Sequence, residues 1–101
     1  IFAAGESTVP RAGTPYLRTL RQLIRGARAI TCTGHTDNRG STAYNYRLGL
    51  ERAKAVCAFL VRGTRIRSTA RSLGETHPRA SNATPEGRAR NRYVDVAVRY
   101  G

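Results

Sequence analysis

The apolar side chains between Thr42 and Arg62 recur at the spacing of one helix face, so the chain must pack a long helix against another layer. One sector of this predicted helix holds the following residues: Gly49, Leu50, Ala53, Val56, Cys57, Leu60 and Val61. Arg52 lies at the border of the sector, where we expect its guanidinium to be partly desolvated and still reachable. Gly49 lies within the sector and predicts a close approach between the helix and its neighbour, because glycine has no side chain.

Shorter patterns predict the remaining elements. They indicate a strand at Phe2 to Ala4, a helix from Pro15 to Ala27 with Thr14 as its N-cap, strands at Ala29 to Thr33 and Ser68 to Leu73, a short helix from Thr84 to Asn91, and a strand from Tyr93 to Tyr100. Ile30 and Cys32 share one face of their strand, and valines alternate along the last strand. The order β-α-β-α-β-(short α)-β predicts an α+β sandwich with helices packed on one mixed sheet.

The length and the opening of the chain bound its organisation. With 101 residues, positions 1-101 form a single domain. Apolar runs are far shorter than the ~20 residues that span a bilayer. The chain opens IFAAGEST, without an initiator Met or a basic region followed by an apolar segment, and we therefore expect a piece processed or excised from a larger protein.

The charge balance is strongly basic, with 18 Lys and Arg against six acids and a net charge of +12. Such an excess attracts nucleic acid, anionic wall polymers or phospholipid head groups, and charge alone does not choose among them. Four arginines of the first helix stand three and four residues apart: Arg18, Arg21, Arg25 and Arg28. Either they form a stripe that faces a polyanion, or they are simply the solvated side of the helix.

The segment GHTDNRGSTAYNYRLGLER, from Gly34 to Arg52, carries the most specific signal in the chain. It resembles the signature of the OmpA-like peptidoglycan-binding domain, which reads Gly-His-Thr-Asp, then Gly or Ser, then Tyr-Asn-x-x-Leu-(Ser/Gly)-x-x-Arg-Ala. A second patch also resembles this family, through Gly74-Glu75-x-x-Pro78 and Asn82-x-Thr84-x-x-Gly87-Arg88-x-x-Asn91-Arg92-x-Val94. Two positions depart from the pattern. Tyr93 replaces a usual Arg, and Gly49 replaces a usual Ser as in the peptidoglycan-associated lipoprotein branch.

The resemblance implies a non-catalytic module that anchors a larger envelope protein, outside the cytoplasm, to peptidoglycan. In that family an Asp and an Arg hold the amino and carboxylate groups of the free diaminopimelate end of uncrosslinked stem peptides, and the matching residues are Asp37 and Arg52. The resemblance also adds Asn45 and Arg92 as polar contacts and Phe2 and Leu48 as apolar walls. Tyr44 fits against ligand or core, whereas Tyr46 lies on the core sector.

The chemistry of the ligand agrees with these roles. A carboxylate such as Asp37 accepts hydrogen bonds from an ammonium, and the planar guanidinium of Arg52 offers two parallel donors to a carboxylate. Loop amides near Thr36, beside the helix start, add neutral donors. From the residues alone, purely structural roles are equally consistent: Asp37 can cap its own loop, and Arg52 can pair with Glu51 or Asp95.

Other functions find little support in the sequence. His35 and His77 lack any recognisable metal-ligand spacing, no catalytic motif surrounds Ser41, and GHTDNRG lacks the lysine of a phosphate-binding loop. We therefore expect no enzyme activity, metal or cofactor. A basic nucleic-acid-binding domain is the alternative, but the aromatics are few and Asp37 would repel phosphate, so no nucleic-acid partner is expected. Anionic wall polymers are a further candidate partner, and the oligomeric state is not readable.

Cys32 and Cys57 are the only cysteines, and both are predicted on core-facing sides of neighbouring elements. A disulfide between them is geometrically possible and would suit an oxidising compartment outside the cytoplasmic membrane. The alternative is a pair of buried, unbonded thiols, since cysteine is also a common small core residue.

Overall fold

The computed structural model describes residues 2–101 and contains a three-stranded mixed sheet with three α-helices. After a 3₁₀ turn at Arg11–Gly13, the elements are α1 (Thr14–Leu23), β1 (Ala27–His35), α2 (Thr42–Val61), β2 (Arg67–Gly74), α3 (Pro85–Asn91) and β3 (Val94–Tyr100). The strand order is β2-β1-β3, with β1 parallel to β2 and antiparallel to β3. The predicted α+β class and mixed sheet are confirmed.

Helix α2 covers the central strand, and two glycines set how closely the two approach. Gly34 of β1 and Gly49 of α2 are both buried, and a Cβ on Gly34 would overlap the backbone carbonyl of Gly49. A Cβ on Gly49 would in turn meet Oγ of Ser72. The expected close approach at Gly49 is therefore confirmed. The core beside this contact consists of Phe2, Leu17, Ile24, Ile30, Cys32, Ala53, Val56, Cys57 and Leu60.

Replacing Gly34 with alanine is expected to lower the free energy of unfolding by about 1–3 kcal/mol, because backbone cannot retreat from the new methyl group as a side chain can. Urea denaturation followed by circular dichroism measures the change. Gly26→Ala is the matched control, since nothing lies within 4 Å of a Cβ at that position. Equal stability of the two variants would contradict the close contact between β1 and α2.

The predicted strand at Phe2 to Ala4 is wrong. This segment is irregular and turns at once: the N–H of Glu6 donates to the carbonyl of Ala3 at 3.1 Å, and Gly5 has a φ of +70°. The carbonyls of Ala3 and Glu6 accept hydrogen bonds from Arg52, so they satisfy a buried cation instead of a neighbouring strand.

The first helix also differs from its prediction. Thr14 is not its N-cap, because the 3₁₀ turn leads directly into α1 and Thr14 already has helical angles, φ −61° and ψ −43°. The helix ends at Leu23 instead of Ala27, because β1 begins at Ala27 and the three residues between them must reverse the chain. The other element predictions agree within a few residues, and Thr84 caps α3 by accepting a hydrogen bond from the N–H of Gly87 at 3.0 Å.

The two cysteines lie face to face between the sheet and α2. Cys32 of β1 and Cys57 of α2 are buried, their Cα atoms are 6.0 Å apart, and their sulfurs form a disulfide. No helix within residues 2–101 is both long enough and apolar enough to cross a membrane.

Candidate functional site

A cleft of about 330 Å³ opens where β1 passes into α2. Its lining combines the loop after β1, the first turns of α2 and the irregular N-terminal segment: Ala4, Gly5, Thr36, Asp37, Arg39, Gly40, Tyr44, Asn45, Leu48 and Arg52. Ser41 fixes the start of α2 at this point, because its hydroxyl accepts the N–H of Tyr44 at 3.1 Å. The cleft thus brings together five of the predicted site residues, and it excludes Phe2 and Arg92 from its lining.

Asp37 is the carboxylate of this cleft and is held by two donors. Its Oδ1 accepts the backbone N–H of Arg39 at 3.0 Å, and its Oδ2 accepts Nη1 of Arg92 at 2.9 Å. Burial alone would raise the pKa of Asp37, but the Arg39 N–H and the charges of Arg92 and Arg39 outweigh it and lower the pKa below 3.8. Asp37 is therefore an anion at neutral pH. It both caps its own loop and faces the cleft.

Arg52 is buried completely, so the expectation of a partly reachable border position is wrong. Its Nε donates to the carbonyl of Glu6 at 2.8 Å, Nη1 to that of His35 at 3.2 Å, and Nη2 to that of Ala3 at 3.0 Å. The ring of Phe2 lies 5.2 Å from its guanidinium carbon. Burial, together with the nearby charge of Arg92, lowers the pKa of Arg52 to about 10, which leaves it charged at neutral pH. The alternative pairing of Arg52 with Glu51 or Asp95 is also wrong, because Glu51 pairs with Lys54 and Asp95 with His35.

Arg92 connects the cleft to the N-terminal segment without lining it. Its Nη1 binds Asp37, while its Nε donates to the carbonyl of Phe2 at 2.7 Å and its carbonyl accepts the Phe2 N–H at 3.0 Å. Phe2 itself is only 4% exposed and belongs to the core. It lines a separate apolar cavity beside Leu17 and Val96, so the structure offers no support for Phe2 as a wall of the cleft.

The remaining predicted residues line the cleft in different ways. Asn45 is 1% exposed and donates through Nδ2 to the carboxylate of Glu75 at 3.0 Å, which links α2 to the end of β2. Thr36 is buried, and its hydroxyl donates to the carbonyl of Asp37 at 2.8 Å. Leu48 supplies the half-buried apolar wall. The core position expected for Tyr46 is wrong, since this side chain is 53% exposed.

Sequence reasoning missed one side chain of the cleft and gave no role to a buried amide outside it. Arg39 lies exposed on the cleft, two residues after Asp37, and is a cation that a ligand can reach without displacing the fold. Its place within GHTDNRG was the available signal. Asn91, fully buried, shapes the loop before α3: Oδ1 accepts the N–H groups of Arg79 and Ala80, and Nδ2 donates to the carbonyl of Ala80 and to Asn82.

Tyr93, which replaces the usual Arg of the second motif, fills a stack beside the cleft. The ring lies 4.1 Å from the buried imidazole of His35, nearly parallel to it, and the guanidinium carbon of Arg79 lies 3.7 Å from its other face. Nε2 of His35 lies 2.8 Å from Oδ2 of Asp95. Burial and the charge of Asp95 raise the pKa of Tyr93, against the opposing effect of Arg79. Tyr93 thus stacks against the cation of Arg79, whereas an arginine at position 93 would itself be the cation.

Among residues 2–101, no group of three or more His, Cys, Asp or Glu side chains is placed to hold a metal ion. The cleft combines one carboxylate, one reachable arginine and one buried arginine with an apolar wall. Such a site can bind a small zwitterionic group.

The fold and the cleft define a small α+β module with a charged binding site, and the comparison with protein families agrees. Residues 1–92 match the OmpA family, and the chain belongs to that family.

Individual relatives agree with this assignment. The chain is similar to the peptidoglycan-binding protein ArfA of Mycobacterium tuberculosis, with 49% identity over 73 residues, which are 68% of this chain and 22% of ArfA. It thus spans about a fifth of that relative. Among solved structures it is similar to the peptidoglycan-associated lipoprotein from Burkholderia pseudomallei, with a TM-score of 0.83, 30% identity, and coverage of 97% of this chain and 86% of that chain. The cell wall anchor of the T6SS from Pseudomonas aeruginosa gives a TM-score of 0.76 and 33% identity over all of this chain and 76% of that chain.

Proposed function

We propose that this module binds peptidoglycan without catalysis and anchors an envelope protein to the cell wall through the free diaminopimelate end of uncrosslinked stem peptides. One observation carries the proposal. Asp37, the buried Arg52 and the exposed Arg39 line the same cleft. Membership of the OmpA family and similarity to a peptidoglycan-binding protein and to a cell wall anchor support it. Peptidoglycan lies outside the cytoplasmic membrane, and the relatives indicate the same envelope location.

The ammonium of the ligand is assigned to Asp37. A carboxylate has about four lone-pair sites, and the bonds from Arg39 and Arg92 occupy two of them. Two sites remain for an ammonium that enters the cleft. Because Arg92 fixes the carboxylate and the pKa of Asp37 is low, the acceptor is charged and oriented before the ligand arrives.

The carboxylate of the ligand is assigned to the arginines of the cleft. Three of the five N–H groups of Arg52 already donate to backbone carbonyls, so this buried cation contributes its field and at most two further donors. Arg39 is exposed and supplies a guanidinium that the ligand can reach. Leu48 and Tyr44 flank the methylene chain of diaminopimelate. Two charge-assisted contacts at about 1.5–3 kcal/mol each give about 3–6 kcal/mol before ordering and desolvation, which corresponds to affinity of about tens of micromolar at best and extends into the millimolar range.

Titration with a stem tripeptide that ends in diaminopimelate tests the proposal. We expect amide shifts at Asp37, Arg39 and Asn45, and saturation in the micromolar to low millimolar range. The matched control is the same peptide with lysine in place of diaminopimelate, which keeps an ammonium and lacks its neighbouring carboxylate. Equal binding of the two peptides would contradict recognition of a zwitterion. A DNA oligonucleotide that binds more tightly near physiological salt would favour the nucleic-acid alternative.

Binding is expected to be constant from pH 7 to about pH 4 and to weaken below that, because the pKa of Asp37 is lowered. For a depressed carboxyl pKa, the charged form persists above the usual value of 3.8 and is lost only as the pH falls through the lower folded value. Affinity for the stem tripeptide measured at several pH values checks this. Loss of half the affinity near about pH 6 would instead assign the contact to a histidine.

A further inference from the structure

A second concave surface lies between α1 and the turn that follows α2, and we call it the basic groove. It encloses about 550 Å³ and is lined by Arg18, Arg21, Gln22, Arg25, Gly63, Thr64 and Ile66. It shares no lining residue with the cleft that holds Asp37. Three arginines and no acid line it, so its charge is uncompensated.

The cations of the basic groove have no acidic partner among residues 2–101. The ion pairs in that part of the chain join Asp37 to Arg92, Glu51 to Lys54, and Asp95 to His35. Arg18 and Arg25 are exposed and make no hydrogen bond to other residues of this range through their side chains. Binding an anion would relieve the like-charge repulsion among the arginines of the groove.

The groove is also held in shape. Arg21 reaches across it and donates through Nη2 to the carbonyl of Arg62 at the end of α2. Thr64 closes the facing turn, since its hydroxyl donates to the carbonyl of Val61 at 2.7 Å and accepts the N–H of Ile66 at 3.1 Å. This hydrogen bond to a second element distinguishes the groove from a helix face that contacts only solvent.

We propose that the basic groove binds an extended anionic polymer of the cell envelope, with its phosphate or carboxylate groups on Arg18 and Arg25. Arg18 lies on α1 and Arg25 lies in the turn that follows it, and both line the groove, so it offers separate cations to two successive anionic groups of one chain. Guanidinium groups bind such anions through paired N–H donors. A flat bilayer fits less well, because Ile66 is the only apolar side chain of the lining and is half-buried. The envelope location of the family disfavours nucleic acid.

The test compares two double variants with equal net charge. Arg18→Gln with Arg25→Gln removes two cations of the groove, and Arg47→Gln with Arg90→Gln removes two exposed cations elsewhere. Each double variant lowers the net charge by two from +12. With short linear polyphosphate as the probe, we expect amide shifts at Arg18, Gln22 and Thr64, and at least about tenfold weaker binding by the groove variant than by its control. Binding of polyphosphate by the groove variant should also depend less steeply on salt concentration, since each lost phosphate contact reduces the slope of log K against log salt.

Equal losses in the two double variants would overturn the proposal, because they would show attraction by net charge alone. So would shifts of the same residues by phosphatidylglycerol vesicles without any shift by polyphosphate. The outcome is separate from that of the diaminopimelate titration, which follows the amide shifts of Asp37 and Asn45.

Discussion

Arg52→Ala is expected to lower the free energy of unfolding by about 3–5 kcal/mol, a large part of the whole stability of a domain this size. The substitution leaves the carbonyls of Ala3, Glu6 and His35 without their donor and opens a cavity beside the ring of Phe2. Thermal and urea unfolding followed by circular dichroism measures the loss. We expect a melting temperature lower by more than about 10 °C.

Arg47→Ala is the matched control, since Arg47 lies on the same helix, is exposed and carries the same charge. If Arg52→Ala were as stable as Arg47→Ala, the buried guanidinium would have no structural role. The prediction also affects how binding data are interpreted. An Arg52→Ala variant that fails to bind peptidoglycan reports lost structure, and the carboxylate contact is better tested with Arg39→Gln.

Asp37→Asn is expected to weaken binding of the stem tripeptide by about a hundredfold, while the domain stays folded. The amide can still accept the N–H of Arg39 in place of Oδ1, but it has no charge for an ammonium, which removes a contact of about 1.5–3 kcal/mol. The stability cost is about 1–2 kcal/mol, because Arg92 loses its ion pair and keeps its bond to Phe2. Calorimetric titration and sedimentation with purified sacculi measure the binding.

Asp95→Asn is the control for charge, since it removes one acid that lies outside the cleft. We expect it to bind sacculi as the parent protein does. Full retention of sacculi by Asp37→Asn at moderate salt would contradict the zwitterion site and favour attraction by the arginine surface. The two variants have the same net charge, so a difference between them cannot arise from long-range attraction.

The long helix, the central strand and the last strand were predictable because each has a strong period of its own. The apolar sector of α2 and the alternating valines of β3 show which side of each element faces the core. The N-terminal segment was not predictable in this way. Phe2 and its neighbours are apolar enough for a strand. The carbonyls of Glu6 and Ala3, however, accept hydrogen bonds from Arg52, which lies 46 and 49 residues further along the chain.

The same difference between local and long-range contacts explains how much of the cleft could be predicted. Asp37, Thr36, Asn45, Leu48 and Arg52 come together because the loop and the first turns of α2 adjoin in sequence. The burial of Arg52 could not be derived from its helical position, because the covering residues come from another part of the chain. The dual role of Asp37 was likewise an open choice in the sequence, and the structure contains the capping bond together with the cleft position.

Arg92 gives the module a mechanical property as well as a chemical one. One guanidinium joins the backbone of Phe2 to the carboxylate of Asp37, and the Phe2 N–H returns to the Arg92 carbonyl. A tensile load applied at Phe2 therefore reaches Asp37 through a few hydrogen bonds around one side chain, without crossing the sheet. Because Phe2 is itself buried in the core, displacing this segment would disturb the core and the cleft together.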